Sequence, residues 1–142
     1  LHRIVGFDDG DSIRKRAQEA VLGRARFKAM HPLDCLRSRL ENLHKIPEKR
    51  GEAGAAQVEL AARIAGRYIE AVLESGNERL ALKAIESVAK MAFGQAGRFA
   101  FGSLGADVLE AVPVKRISNR KFLDVRWPQI RAQAAGRRRR KR

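Results

Sequence analysis

Four groups of side chains in this 142-residue chain have types and spacings that could do chemistry. The first is Asp8-Asp9-Gly10-Asp11. Clustered carboxylates could hold a hard cation, which takes several oxygen ligands. An EF-hand loop would close with a Glu twelve positions after its first ligand, and neither Glu19 nor Ala20 meets that register. The cluster reads better as a solvated turn, with Asp11 or Ser12 capping a helix. The second group is His31 and Cys35, four apart. Together they could face a zinc ion, but structural zinc takes four ligands and the chain offers no second pair. A nucleophilic cysteine would need a base that is itself oriented by a third group, and none is evident. His31 is expected to start a helix with its ring bonded locally, and Cys35 to be a small buried hydrophobe.

The third group is Arg39, Asn42 and Lys45, which could together contact phosphate. A guanidinium binds phosphate bidentately, and an amide can donate or accept. The alternative, which we favour, is a hydrogen-bond network between helices. The fourth group is the run Arg137, Arg138, Arg139, Arg140, Lys141 and Arg142. Six adjacent cations repel one another and are expected to form a disordered basic tail. Such a run binds nucleic acid without reading sequence and with steep salt dependence. No aromatic residue is interleaved with it, so single-strand stacking is not indicated.

Charge and cysteine content narrow the function classes. Lys and Arg number 30 against 16 acids, a net charge of +14. The six tail cations account for six of these charges, and the rest of the chain is still basic. An excess of this size favours polyanions. The single cysteine excludes an intrachain disulfide. No apolar run of transmembrane length and no signal peptide are evident, so the expected location is cytoplasmic, with no membrane partner.

The elements that must position these residues are mostly helical. Pro32 suits a first helical position, and Leu33, Leu36, Leu40 and Leu43 recur along one face of a helix over 32–43. A polar loop from His44 to Gly54 precedes a long helix over 54–74. Its wide apolar face includes Val58, Ala61, Ala65, Tyr68 and Ile69. Ser75-Gly76-Asn77 stops that helix and caps the next, over 78–93, so the two must pack antiparallel. Gly94, Gly97, Gly102 and Gly105 predict a loosened stretch, with Phe93, Phe99 and Phe101 closing one end of the core. Short helices are expected over 106–112 and 127–135, the latter opened by Pro128. Ahead of these, Ile13 to Ala20 reads as a short helix and Ala25 to Met30 as a brief strand. The expected fold is mainly α: an antiparallel three- to four-helix core with a small strand-containing N-terminal segment. Leu36, Leu40, Val58, Tyr68, Ile85 and Val88 are its expected core.

Several pieces resemble a known family. They are Leu1-His2-Arg3-Ile4-Val5-Gly6, Met30-His31-Pro32-Leu33-Asp34-Cys35-Leu36, Ser38-Arg39-Leu40, Asn42-Leu43 and the helix containing Gln57 and Leu60. Together with Arg79 to Ile85 and Gly105 to Pro113, they resemble the C-terminal helical region of bacterial nucleotidyltransferase-like proteins, which follows a polymerase-β-type catalytic core. The family's catalytic signature, a Gly-Gly or Gly-Ser turn before an Asp-x-Asp pair that holds metal, does not occur here. The resemblance therefore implies a fragment or natural truncation: residues 1–31 as a remnant of the α/β core, 32–135 as a helical domain and 136–142 as the tail. It implies no catalytic residue and no cofactor in this chain, with Mg²⁺ expected only alongside the missing catalytic part. It would turn the edge carrying Arg39 and Asn42 toward that part's cleft. Expected partners are nucleic acid and either the N-terminal catalytic half or a second copy of the chain. The alternatives are a stand-alone basic nucleic-acid-binding module and a homodimeric interaction module.

Overall fold

The computed structural model describes residues 10–137. It is mainly α-helical, with one small antiparallel sheet near its start. A short helix α1 (Gly10–Arg16) leads into a hairpin of β1 (Gln18–Leu22) and β2 (Ala25–Ala29). Four longer helices follow: α2 (Pro32–Lys45), α3 (Glu52–Glu74), α4 (Glu78–Phe93) and α5 (Gln95–Leu104). Three-residue and four-residue 3₁₀ turns lead to a last helical stretch ending in α6 (Trp127–Ala135).

Local chemistry sets most boundaries. The His31 ring accepts from the Leu33 N–H and caps α2, with Pro32 in the first turn. The α3–α4 link works as expected. Gly76 takes φ +82°, and the Asn77 N–H returns to the Val72 carbonyl. The Asn77 side chain then accepts from Leu80 N–H at 3.2 Å and opens α4. This is a left-handed helix stop running directly into an N-cap.

The core is built from small residues on α3, α4 and α5 packed against the leucines of α2. Leu36, Leu40, Leu43, Val58, Ile69, Ile85 and Val88 are buried, together with Ala61, Ala65, Ala81, Ala84, Ala89, Ala92 and Ala100. α2 and α3 are antiparallel: the Tyr68 ring meets His31 at the start of α2, while Gly54 lies against Leu43 near its end. Tyr68 is half-buried at this rim rather than central. At three glycines a neighbouring backbone occupies the place of a side chain. A Cβ on Gly54 would strike the Lys49 carbonyl, one on Gly66 the Ala111 carbonyl, and one on Gly97 the backbone of Met91 and Ala92.

Four expectations are corrected. Residues 18–20 belong to the strand 18–22 instead of extending the first helix, because Gly23 at φ +61° allows a tight two-residue turn onto β2. The glycine-rich stretch after Gly94 is helix α5, in which Gly97 is needed for close approach. The segment at 106–112 forms only a 3₁₀ turn, Val108–Ala111. The last helix starts at Arg120 and not at Trp127. Asn119 caps it by accepting from Phe122 N–H at 2.9 Å, and a π turn over Phe122–Arg126 carries it into α6. Pro128 has no N–H to give to a regular helical ladder, and wider turns commonly absorb such a defect.

Replacing Leu40 by Ala should cost about 2–5 kcal/mol, through lost burial and a residual cavity. Gly66→Ala should cost about 1–3 kcal/mol by overpacking against Ala111. Leu60→Ala, on the exposed side of α3, should cost well under about 1 kcal/mol. Urea titrations of the three variants check this ranking, and a Leu60 cost equal to that of Leu40 would show the wrong face of α3 to be buried.

Candidate polyanion interface

The residues singled out in the sequence do not converge on one site. Arg39 is exposed on α2 and donates to the Gln57 amide oxygen at 3.3 Å. Asn42 is half-buried, and Lys45 pairs with Glu41 at 3.0 Å. Arg39 therefore bridges α2 and α3, in line with the structural alternative for this group. Asp8, Asp9 and Arg138–Arg142 lie outside the described residues. Among the described residues no group of three His, Cys, Asp or Glu side chains is placed to hold a metal. No described helix is long and apolar enough to cross a membrane.

Arg137 belongs to the folded body rather than to the tail. Its guanidinium donates to Asp107 Oδ2 at 2.8 Å, and the two side chains are only 6% and 11% exposed. The same group lies over the Phe101 ring, 4.1 Å from its centroid, and reaches toward Phe93. A weakly hydrated, planar cation suits such a site between aromatic faces and a carboxylate. Any basic tail therefore starts after Arg137.

His31 and Cys35 form no dyad. Cys35 is half-buried, and His31 Nδ1 is already engaged by the Leu33 N–H. Beside them Asp34, only 2% exposed, receives two bonds from Arg16, at 2.9 and 2.7 Å. This bidentate pair ties α1 to the start of α2.

A more coherent surface lies along α4. The segment from Ser118 to Arg137 runs beside this helix in the same direction, as three contacts in register show. Glu78 at the start of α4 accepts from Ser118 N–H and Asn119 N–H at 3.2 and 2.7 Å, and from the Ser118 hydroxyl. Glu86 in the middle takes a bidentate pair from Arg126 at 2.6 and 2.7 Å. Phe93 at the end meets Arg137. Between the helices lies an open furrow of about 680 Å³, with Leu82 and Phe122 among its lining residues.

The electrostatics of this furrow follow from those contacts. It is lined by Arg79, Lys83 and Lys90, and its two carboxylates, Glu78 and Glu86, are both engaged by the facing segment. The hydrogen bonds from Arg126 hold the Glu86 carboxyl below its ordinary pKa against the opposing effect of burial, and the charges of Arg126 and Lys90 add to this. Arg79, Lys83 and Lys90 have no salt-bridge partner within the described residues. The furrow therefore presents unpaired positive charge. The facing segment from Ser118 to Arg137 is itself basic, with Arg120, Lys121, Arg126, Arg131 and Arg137 against one acid, Asp124.

Sequence reasoning missed this stripe. Its signal was present in the spacing of Arg79, Lys83 and Lys90, four and then seven apart, which places all three on one face of a helix. The engagement of Glu78 and Glu86 depends on residues about 40 positions away and leaves no local signal.

One titration can be predicted with its sign. Burial lowers the His31 pKa below 6.5, outweighing the attraction of Asp34, while Arg16 pushes in the same direction as burial. The unfolded chain thus takes up this proton first as the pH falls. The stability that neutral His31 contributes should be complete above about pH 6.5 and decline as the pH falls through the folded-state pKa. His31→Asn keeps a capping acceptor and removes the titration. Urea midpoints at pH 7.5 and pH 5 should therefore differ less for this variant than for the parent chain; an identical difference would rule out a contribution from His31.

No family model, curated protein or solved structure matches this chain.

Proposed function

We propose that this chain is the helical C-terminal part of a nucleotidyltransferase-like protein, that it does no chemistry itself, and that it contacts nucleic-acid phosphate. The observation that carries the phosphate contact is the furrow on α4, where the carboxylates are engaged internally and the cations are not. Phosphate binding needs no more than such fixed, accessible cations, and it is sequence-independent.

The hairpin supports the attachment to a larger α/β part. Its register places Ala20 opposite Phe27 and Leu22 opposite Ala25, so these four share one apolar face. Phe27 is 48% exposed and Leu22 75% exposed. A lone two-stranded sheet is marginal in water and normally adds strands or a covering layer. The opposite face carries Glu19, Arg26 and Lys28 around an exposed Val21, so the Phe27 face is the more apolar of the two. A second copy of this chain could supply that cover equally well, which is the homodimer reading.

Two outcomes are expected. With Mg²⁺ or Mn²⁺, labelled nucleotides and mixed RNA and protein acceptors, the chain should transfer no label. Metal-assisted transfer needs carboxylates that hold cations against the triphosphate. Transfer abolished by Asp8→Ala or Asp11→Ala would overturn the non-catalytic reading. Separately, binding to a labelled oligonucleotide should weaken with salt, and deleting residues 138–142 should flatten the log–log slope by about 0.7 for each single-strand phosphate released. The deletion must spare Arg137, since removing it would leave Asp107 buried without its partner. A slope unchanged by the deletion would confine phosphate contact to the folded body, and no binding at any salt concentration would overturn it altogether.

A further inference from the structure

We infer that the furrow between α4 and the 118–137 segment is a binding site for the sugar-phosphate backbone of a single-stranded nucleic acid; this deepens the phosphate-binding reading above and rests on it. Arg79, Lys83 and Lys90 are laid out in a line along the furrow. The helical rise sets their Cα positions about 6 Å and about 10 Å apart along the axis. Cations repeated along a track match a ligand whose charges repeat along a chain, and not a single isolated anion.

Shape selects among such polyanions. The furrow, about 680 Å³ and lined by α4 with Asn119 and Phe122, can take a short stretch of one strand, whereas a duplex, whose major groove alone is about 12 Å wide, is too broad to enter it. The apolar groups are recessed: Phe122 is buried and Leu82 half-buried. A membrane surface would call for protruding apolar groups, whereas this furrow calls for a ligand that enters it. With Phe122 buried, no free aromatic face is offered for base stacking, so recognition falls to the backbone and is indifferent to sequence. Asn119 adds a polar group at the Arg79 end.

The two ends of the furrow differ. At one end Glu78 accepts hydrogen bonds from Ser118 and Asn119, which fix its carboxylate toward the facing segment while leaving its charge in place. At the other, Arg137 is anchored near Phe93, one turn beyond Lys90 on the same face of α4. The described residues therefore end beside the Lys90 end of the furrow.

The test is fluorescence anisotropy with a short labelled oligothymidine and with a hairpin duplex, each at three salt concentrations. The full chain is compared with the double variant Lys83→Gln/Lys90→Gln and with Arg39→Gln/Lys45→Gln on α2. All four residues are exposed, so both doubles should melt with the parent chain. The α4 double should lose about 1.4 from the log–log salt slope for the single strand, and the α2 double nothing. The duplex should bind more weakly and be insensitive to the α4 changes. Single-strand binding with an unchanged slope in the α4 double overturns the furrow site while leaving phosphate binding elsewhere on the chain intact. Equal loss for duplex and single strand overturns the strand selectivity. Absence of binding by the parent chain overturns this proposal and the phosphate-binding reading together.

Discussion

Three carboxylates hold the Ser118–Arg137 segment against the helical body, and the character of the surface depends on them. Glu78 receives the turn at Ser118 and Asn119, Glu86 receives Arg126, and Asp107 receives Arg137. Each contact is a charge-assisted hydrogen bond, stronger than its neutral counterpart and demanding in geometry. The contacts of Glu78 and Glu86 fall at successive points along the segment and fix its direction and register beside α4. The Arg126 contact also neutralises the Glu86 carboxylate in the furrow. Arg126 is about two-fifths exposed, so its pair with Glu86 is screened by solvent and serves register more than stability. The Arg137–Asp107 pair is nearly dry and would be costly to break from one side.

The scaffold under that surface is a close-packed bundle of small residues. Alanines line the buried faces of α3, α4 and α5, and Gly54, Gly66 and Gly97 admit neighbouring backbone where a side chain would stand. Interiors packed this tightly transmit small displacements and tolerate few changes in volume. The arrangement lets a short chain gather four helices and a returning C-terminal segment around one core. It also leaves the hairpin outside that core, joined to it through β2 and the bidentate Arg16–Asp34 pair.

Much of this was legible in the sequence. The leucines of α2, the apolar stripe of α3 and the Ser75-Gly76-Asn77 stop are local signals, and they placed α2, α3 and α4 within about two residues at each end. What failed had non-local causes. The helical reading of residues 18–20 was overridden by pairing with β2. Gly97 lowers helix propensity, but packing against Met91 and Ala92 requires it inside a helix. Pro128 looks like a helix start, and only the π turn before it reveals a helix already under way from Arg120. At the site, Arg137 reads as the first residue of a charge run until Asp107, Phe93 and Phe101 close around it.

The central claim is that engaged carboxylates leave α4 as the cationic face of the molecule. Backbone amide shift mapping tests it most directly, with the full chain titrated by a short oligothymidine at low salt. The account predicts that the perturbed amides cluster on Arg79 to Lys90 of α4 and on Asn119 to Arg126 across the furrow. Perturbations confined to the Arg39–Lys45 edge of α2, or absent from α4 while binding persists, would contradict it.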